Sequence, residues 1–281
     1  MPIPYSTLIT VPELARRDRA GLRIIDCRFD LRDPAAGRAA HAAGHIPGAL
    51  FMDLDQDLSA PKTGKNGRHP LPPPEVFAQR LGERGIGQGT QVVAYDDVGG
   101  MMAARLWWML RWVGHLQVAV LDGGLQAWLA AGHGLETEAP IPEPVLCPLQ
   151  LHDGLRVDAD YVAAHLNSAE MQLIDARAPD RFRGENETLD PVGGHIPGAL
   201  NRFFKDNLTP DGHFKQASVL QEEFGALIKG GDAHRVIHQC GSGVTACHNM
   251  LAMEVAGLSG SRLYPGSWSE WCADPARPVA R

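Results

Sequence analysis

The amino-acid sequence predicts an α/β protein of two tandem domains, each a parallel β-sheet flanked by helices on both faces. Three observations carry that expectation. The box Gly44-His45-Ile46-Pro47-Gly48-Ala49-Leu50 returns letter for letter as Gly194 to Leu200. In each half, short apolar runs alternate with helical patterns, as expected for parallel strands joined by helical crossovers. A proline-rich stretch, Glu136 to Pro148, separates the halves.

The elements follow in order. Ile24-Ile25-Asp26-Cys27-Arg28 is an apolar run ending in Asp-x-Arg just upstream of the first box. Downstream comes the strand-like Val92-Val93-Ala94-Tyr95 and then Met101 to Val113, the most apolar segment. Arg105 and Arg111 interrupt that segment, so it reads as a packed helix and not a membrane span. A short strand, a glycine turn and a tryptophan close the half, Val120-Leu121-Asp122-Gly123-Gly124 to Trp128. The second half repeats the series: Leu173-Ile174-Asp175-Ala176-Arg177, the box, Val236-Ile237-His238-Gln239 with its helix, and Leu263-Tyr264-Pro265-Gly266-Ser267 to Trp271. A period of about 150 residues means duplicated domains, since solenoid repeats run to roughly 20–50. The linker holds Pro140, Pro142, Pro144 and Pro148. Proline fixes φ and removes a donor, so a stiff extended connection is expected, with domains over 1–145 and 146–281.

Composition excludes several function classes. The 281 residues are 44% apolar and 21% charged, enough for one large domain or two of average size. A net charge of −7 argues against nucleic acid or an anionic membrane as the main partner. The start, Met-Pro-Ile-Pro-Tyr-Ser-Thr, shows no basic n-region or apolar stretch, and a cytoplasmic protein is expected. Cys27, Cys147, Cys240, Cys247 and Cys272 lie at irregular spacing without paired zinc-type motifs. No metal or other cofactor is expected, and the thiols read as reduced.

In parallel sheets the ligand site lies where strands run out into helices, which directs attention to the loop after Gln239. It reads Cys240-Gly241-Ser242-Gly243-Val244-Thr245-Ala246 and feeds a pattern with Val244, Leu251, Val255 and Leu258 at helical spacing and Gly257 as a stop. Glycines let the backbone curl so that successive N–H groups face one point, and the helix start adds partial positive charge. Both favour a thiolate, a persulfide or a bound oxyanion. The bland alternative is a small buried cysteine beside a tight turn, and it fits Cys27, Cys147, Cys247 and Cys272 better than Cys240. Spacing leaves open whether Cys247 or Cys272 has a redox role.

The duplicated Asp-x-Arg and Gly-His-Ile-Pro-Gly boxes, with Cys-Gly-Ser-Gly-Val-Thr in the second half alone, resemble the two-domain rhodanese family. The loop resembles its 3-mercaptopyruvate sulfurtransferase branch, since thiosulfate sulfurtransferases usually carry basic residues where Gly241 and Ser242 stand. The resemblance implies two tandem rhodanese-like domains and a catalytic second domain that carries sulfur as a persulfide on Cys240. The sulfur would come from 3-mercaptopyruvate or thiosulfate and go to cyanide, a small thiol or a protein thiol such as thioredoxin. In the first half the position matching Cys240 is Asp96, and a carboxylate cannot carry a sulfane sulfur. That half is expected to be non-catalytic.

The resemblance further implies that Ser242 works with His69 and Asp55, an imidazole held by a carboxylate orienting the serine hydroxyl. Arg181 matches the first arginine that takes the substrate carboxylate, a task that suits the guanidinium fork. Gly241, Gly243, Val244 and Thr245 line the substrate from the loop. A second arginine is expected nine residues after Arg181, but Asp190 stands there. That reversal should weaken carboxylate binding unless Arg183 or Arg202 fills the gap, and it keeps thiosulfate open as the main donor. His45 and His195 lie in the box shared by both halves and read as fold-forming. A cysteine-dependent phosphatase would need an arginine at the end of the loop, and none occurs between Cys240 and Arg262. A silent binding module is the remaining alternative, disfavoured by the intact cysteine loop.

Overall fold

The computed structural model describes residues 4–138, 140–166 and 168–281. They form two compact units. The first comprises the chain through Ala60, Pro72–His152 and Pro210–His213, and the second Pro61–Leu71, Asp153–Thr209 and Phe214–Arg281. The proline-rich linker is extended and follows the first unit: Glu136 exchanges backbone bonds with His45, and the Val145 N–H donates to Gly82. His69, placed by sequence in the first half, thus travels on a segment that belongs with the second unit.

The first unit carries β1 (Leu8–Ile9), β2 (Leu22–Asp26), β3 (Ala49–Phe51), β4 (Gln91–Tyr95) and β5 (Val118–Leu121). They make one parallel sheet in the order β1-β5-β4-β2-β3. Its helices are α1 (Val11–Ala15), α2 (Ala36–Ala43), α3 (Pro74–Glu83), α4 (Ala103–Trp112) and α5 (Gly124–Ala130). Alternate residues of β4 face opposite ways. Val93 and Tyr95 join Leu14 of α1 and Leu125 and Trp128 of α5 in one core. Val92 and Ala94 are equally buried. Both faces are covered, which is why β4 reads as a continuous apolar run.

The second unit carries α6 (Ala159–Ala164), β6 (Gln172–Asp175), α7 (Pro179–Phe182), β7 (Leu200–Asn201), α8 (Ala217–Leu227), β8 (Val236–Gln239), α9 (Thr245–Val255), β9 (Arg262–Leu263) and α10 (Ser267–Trp271). Its parallel sheet runs β7-β6-β8-β9, the order of β3-β2-β4-β5 in the first unit. Ile237 packs with Val162, Trp268 and Trp271 on one face. The first unit adds only β1, so the sequence repeat is a repeat of topology. No helix among the described residues is long and apolar enough to cross a membrane.

The two recurrent boxes are one device. Arg28 pairs with both Asp26 oxygens and donates through Nη2 to the Gly44 carbonyl at 2.8 Å. Arg177 repeats this on Asp175 and on the Gly194 carbonyl, again at 2.8 Å. Each buried guanidinium ties a strand end to the turn that follows, satisfying a carboxylate and a carbonyl together. The box histidines serve the same turns. His45 Nδ1 meets the His41 carbonyl at 2.7 Å, and His195 Nδ1 meets the Phe182 carbonyl at 2.9 Å.

Candidate active site

Strand β8 ends at Gln239, and the chain turns through Cys240–Val244 before α9 begins at Thr245. The turn after β9 grips this loop. The Cys240 N–H donates to Ser267 Oγ at 3.1 Å, and that hydroxyl donates to the Tyr264 carbonyl at 2.9 Å. The Cys240 and Gly241 carbonyls accept from the Trp268 and Ser269 amides. Gly243 holds φ +76°, and a Cβ there would stand 2.4 Å from the Pro265 carbonyl oxygen, so only glycine fits. Its N–H points at the Cys240 sulfur, 3.2 Å away. The amides of Ser242, Val244, Thr245 and Ala246 meet no acceptor among the described residues. They form an open cradle of donors at a helix start, of the kind that holds anions.

The equivalent cradle of the first unit is filled. Asp96 follows β4, and its Oδ1 accepts the Val98 and Gly100 amides while Oδ2 accepts those of Met102 and Ala103, at 2.7–2.9 Å. Burial pushes its carboxyl up against the pull of those four donors. A carboxylate built into the chain occupies the anion position.

Ser242 and His69 are both buried, with His69 Nδ1 and Ser242 Oγ 2.7 Å apart. The structure thus brings the sequence-derived serine and histidine together beside Cys240. Asp55 lies in the first unit, its N–H donating to Asp53 Oδ1 at 2.9 Å. Arg177 is buried between Asp175 and the Trp268 ring, its guanidinium carbon 4.8 Å from the ring centroid. Burial opposes its charge, and Asp175, Glu187 and Cys240 together outweigh that.

Arg181 reaches Glu187 through Nε and Nη2 at 2.8–3.2 Å and stands 3.5 Å from Asp190 Oδ2. Of the residues expected to replace the missing arginine, neither stands on this loop. Arg183 is half-exposed and paired with Glu185, and Arg202 is engaged by Asn207 and Glu223. Asp190 is instead ion-paired with Arg68, a residue the sequence analysis passed over. The Arg68 Nη2 lies 2.7 Å from where a Gly241 Cβ would be, and both Arg181 Nη atoms lie within 3.8 Å of that point. Only the adjacency of Arg68 to His69 hinted at this.

The remaining cysteines are buried and form no disulfide. Burial pushes the thiols of Cys27 and Cys147 up, and burial with Asp190 nearby pushes Cys272 up to about 11. The Cys247 thiol donates to the Gly243 carbonyl, four residues earlier, at 3.3 Å. None of these sits in an open cradle of amides.

Known proteins resemble this chain in sequence and fold. The model of the rhodanese-like domain matches residues 10–131 and 158–274. A Pseudomonas aeruginosa protein described as "Probable 3-mercaptopyruvate sulfurtransferase" is 48% identical, covering 97% of both chains. Bovine thiosulfate sulfurtransferase is 36% identical, over 95% of this chain and 92% of the relative. The crystal structure of SseA from Escherichia coli, described among 3-mercaptopyruvate sulfotransferases, superposes with a TM-score of 0.80 at 32% identity, covering 94% of this chain and 99% of that one. Two units of one topology, a cysteine loop in one of them and full-length kinship at this level lead to one conclusion: the chain belongs to the rhodanese-like domain family, with two copies of the domain in tandem.

Proposed function

We propose that the chain is a sulfurtransferase moving a sulfane sulfur from 3-mercaptopyruvate to a thiol or cyanide through a persulfide on Cys240. The observation that carries this reading is the Gly243 N–H directed at the Cys240 sulfur from a cradle whose other amides are open. The Cys240 thiolate attacks the donor sulfur, a Cys–S–S bond forms, and the donor's carbon–sulfur bond breaks. The electron pair passes to carbon as the enolate of pyruvate, which takes a proton from Ser242, replenished by His69. The sulfur's own proton stays on the persulfide, and the cradle amides hold its charge when it ionises. An acceptor thiolate then attacks the outer sulfur, breaking the S–S bond and returning the Cys240 thiolate. Arg181, Gly241, Gly243, Val244 and Thr245 hold the donor.

Thiosulfate is the second reading, supported by Asp190 and by the likeness to bovine thiosulfate sulfurtransferase. Attack on its outer sulfur releases sulfite, with no proton needed. Buried thiols without disulfides support a reducing compartment, so the proposal places the protein in the cytoplasm, with a thioredoxin-type thiol among its acceptors.

Steady-state kinetics with both donors in parallel test the reading. Double displacement predicts parallel double-reciprocal lines with either donor and a higher kcat/KM for 3-mercaptopyruvate. A Cys240→Ser variant that keeps full activity would overturn it.

A further inference from the structure

The chain carries an aspartate at 190, where the family resemblance calls for an arginine, and an arginine at 68, directly before His69. The two are ion-paired within one compact unit. We propose that Arg68 is the second donor-binding guanidinium of this site, held by Asp190 and acting with Arg181 on the donor's oxyanion. The inference rests on the sulfurtransferase reading and names a residue that sets donor affinity.

The hydrogen-bond accounting supports it. A guanidinium presents five N–H donors in a rigid fork. Arg68 uses Nη1 on Asp190, while its buried Nε meets no acceptor and its Nη2 faces Gly241. Arg181 uses Nε and Nη2 on Glu187 and Asp190, and its Nη1 lies 3.7 Å from the same Gly241 point. One uncommitted edge of each guanidinium therefore converges beside the residue that follows Cys240. Such an edge suits a carboxylate in 3-mercaptopyruvate or the sulfonate oxygens of thiosulfate.

Two guanidinium groups this close would repel without a counter-charge. Asp190, its side chain 3% exposed, supplies one to both. The Arg68 backbone is fixed as well, its N–H donating to Ser269 Oγ at 3.0 Å, and Ser269 in turn holds the Gly241 carbonyl. In this chain the arginine stands at position 68, and the aspartate at 190 anchors it. Gly241 is part of the device, because any Cβ would push the Arg68 guanidinium aside.

Donor kinetics of Arg68 variants test this. Arg68→Ala should raise KM for 3-mercaptopyruvate about ten- to hundredfold with kcat within about threefold, as expected for a lost charge-assisted contact to bound donor. Arg68→Lys, which keeps the charge but not the fork, should recover part of it. Gly241→Ala should raise KM with Arg68 still present. The reciprocal Arg68→Asp/Asp190→Arg swap should recover most of the affinity that Arg68→Asp loses. Should Arg68→Ala fold poorly because Asp190 is left uncompensated, the Arg68→Ala/Asp190→Ala double variant removes both charges and should keep the raised KM. A competent wild type with KM unmoved in the Arg68→Ala protein, or kcat lost in place of KM, overturns this assignment alone. A wild type that takes no sulfur on Cys240 overturns both readings.

Discussion

At the scale of single residues, the two halves differ at one decisive point. Strand β4 delivers Asp96 and strand β8 delivers Cys240 to equivalent cradles. The carboxylate closes its cradle with four N–H bonds, and the cysteine leaves most of its own open. Around Cys240 the 2.7 Å contact of Ser242 with His69 makes a specific prediction. Ser242→Ala and His69→Ala should slow 3-mercaptopyruvate turnover about 10²–10⁴-fold while sparing persulfide formation from thiosulfate. The enolate of pyruvate needs a proton, and sulfite leaves as a stable anion. Single-turnover rates with each donor check this, and equal loss with both would assign the pair to the fold. Cys240, Ser242 and His69 could be named as candidates from the sequence because each stands in a short motif. The placement of Arg68 was not legible, because a contact across 122 positions with Asp190 is invisible without the fold. The pairing of Arg183 with Glu185 was likewise not legible in the sequence.

At the scale of elements, the cysteine loop is shaped by what lies against it. The Ser267 hydroxyl, the Trp268 and Ser269 amides and the Pro265 carbonyl fix it from the turn after β9. Ser267 itself sits at φ +55°, an uncommon value for a residue with a Cβ, and its side-chain bonds hold it there. Gly243→Ala combines positive φ with a clash against Pro265, so it should destabilise the protein by about 1–3 kcal/mol. Urea unfolding reads that cost as a lowered midpoint, and the same variant should form persulfide more slowly because the amide facing Cys240 shifts. An unchanged midpoint would show that the loop is not clamped. The strands and α9 were readable from apolar runs and helical spacing. Strand β9 ends at Leu263, where the Tyr264 N–H still donates to the His238 carbonyl while its own carbonyl accepts from Ser267 Oγ.

At the scale of the whole molecule, the duplication was legible because the Asp-x-Arg and Gly-His-Ile-Pro-Gly boxes lock together through Arg28 and Arg177 and must be kept as a set. The grouping of Pro61–Leu71 with the second unit was not, since it depends on where a loop packs. Whole-molecule stability should also carry an acid signature. His238 is fully buried on β8, and burial lowers its pKa from 6.5 to about 3. In the unfolded chain it takes a proton near pH 6.5, so between roughly pH 6.5 and 3 the unfolded state binds the extra proton. Its contribution to stability is therefore lost as pH falls through that window and is constant above it. His238→Leu should flatten the fall between pH 7 and 4, by up to about 1.4 kcal/mol per pH unit, read from urea titrations at each pH. Parallel wild-type and variant curves would contradict a neutral buried imidazole. The central claim, that Cys240 carries the sulfur, is tested most directly by intact-mass spectrometry after one equivalent of 3-mercaptopyruvate without acceptor. The account predicts one added sulfur on the wild type, localised to Cys240, lost on adding cyanide and absent from Cys240→Ser. Sulfur on another cysteine, or none on a protein that turns the donor over, would contradict it.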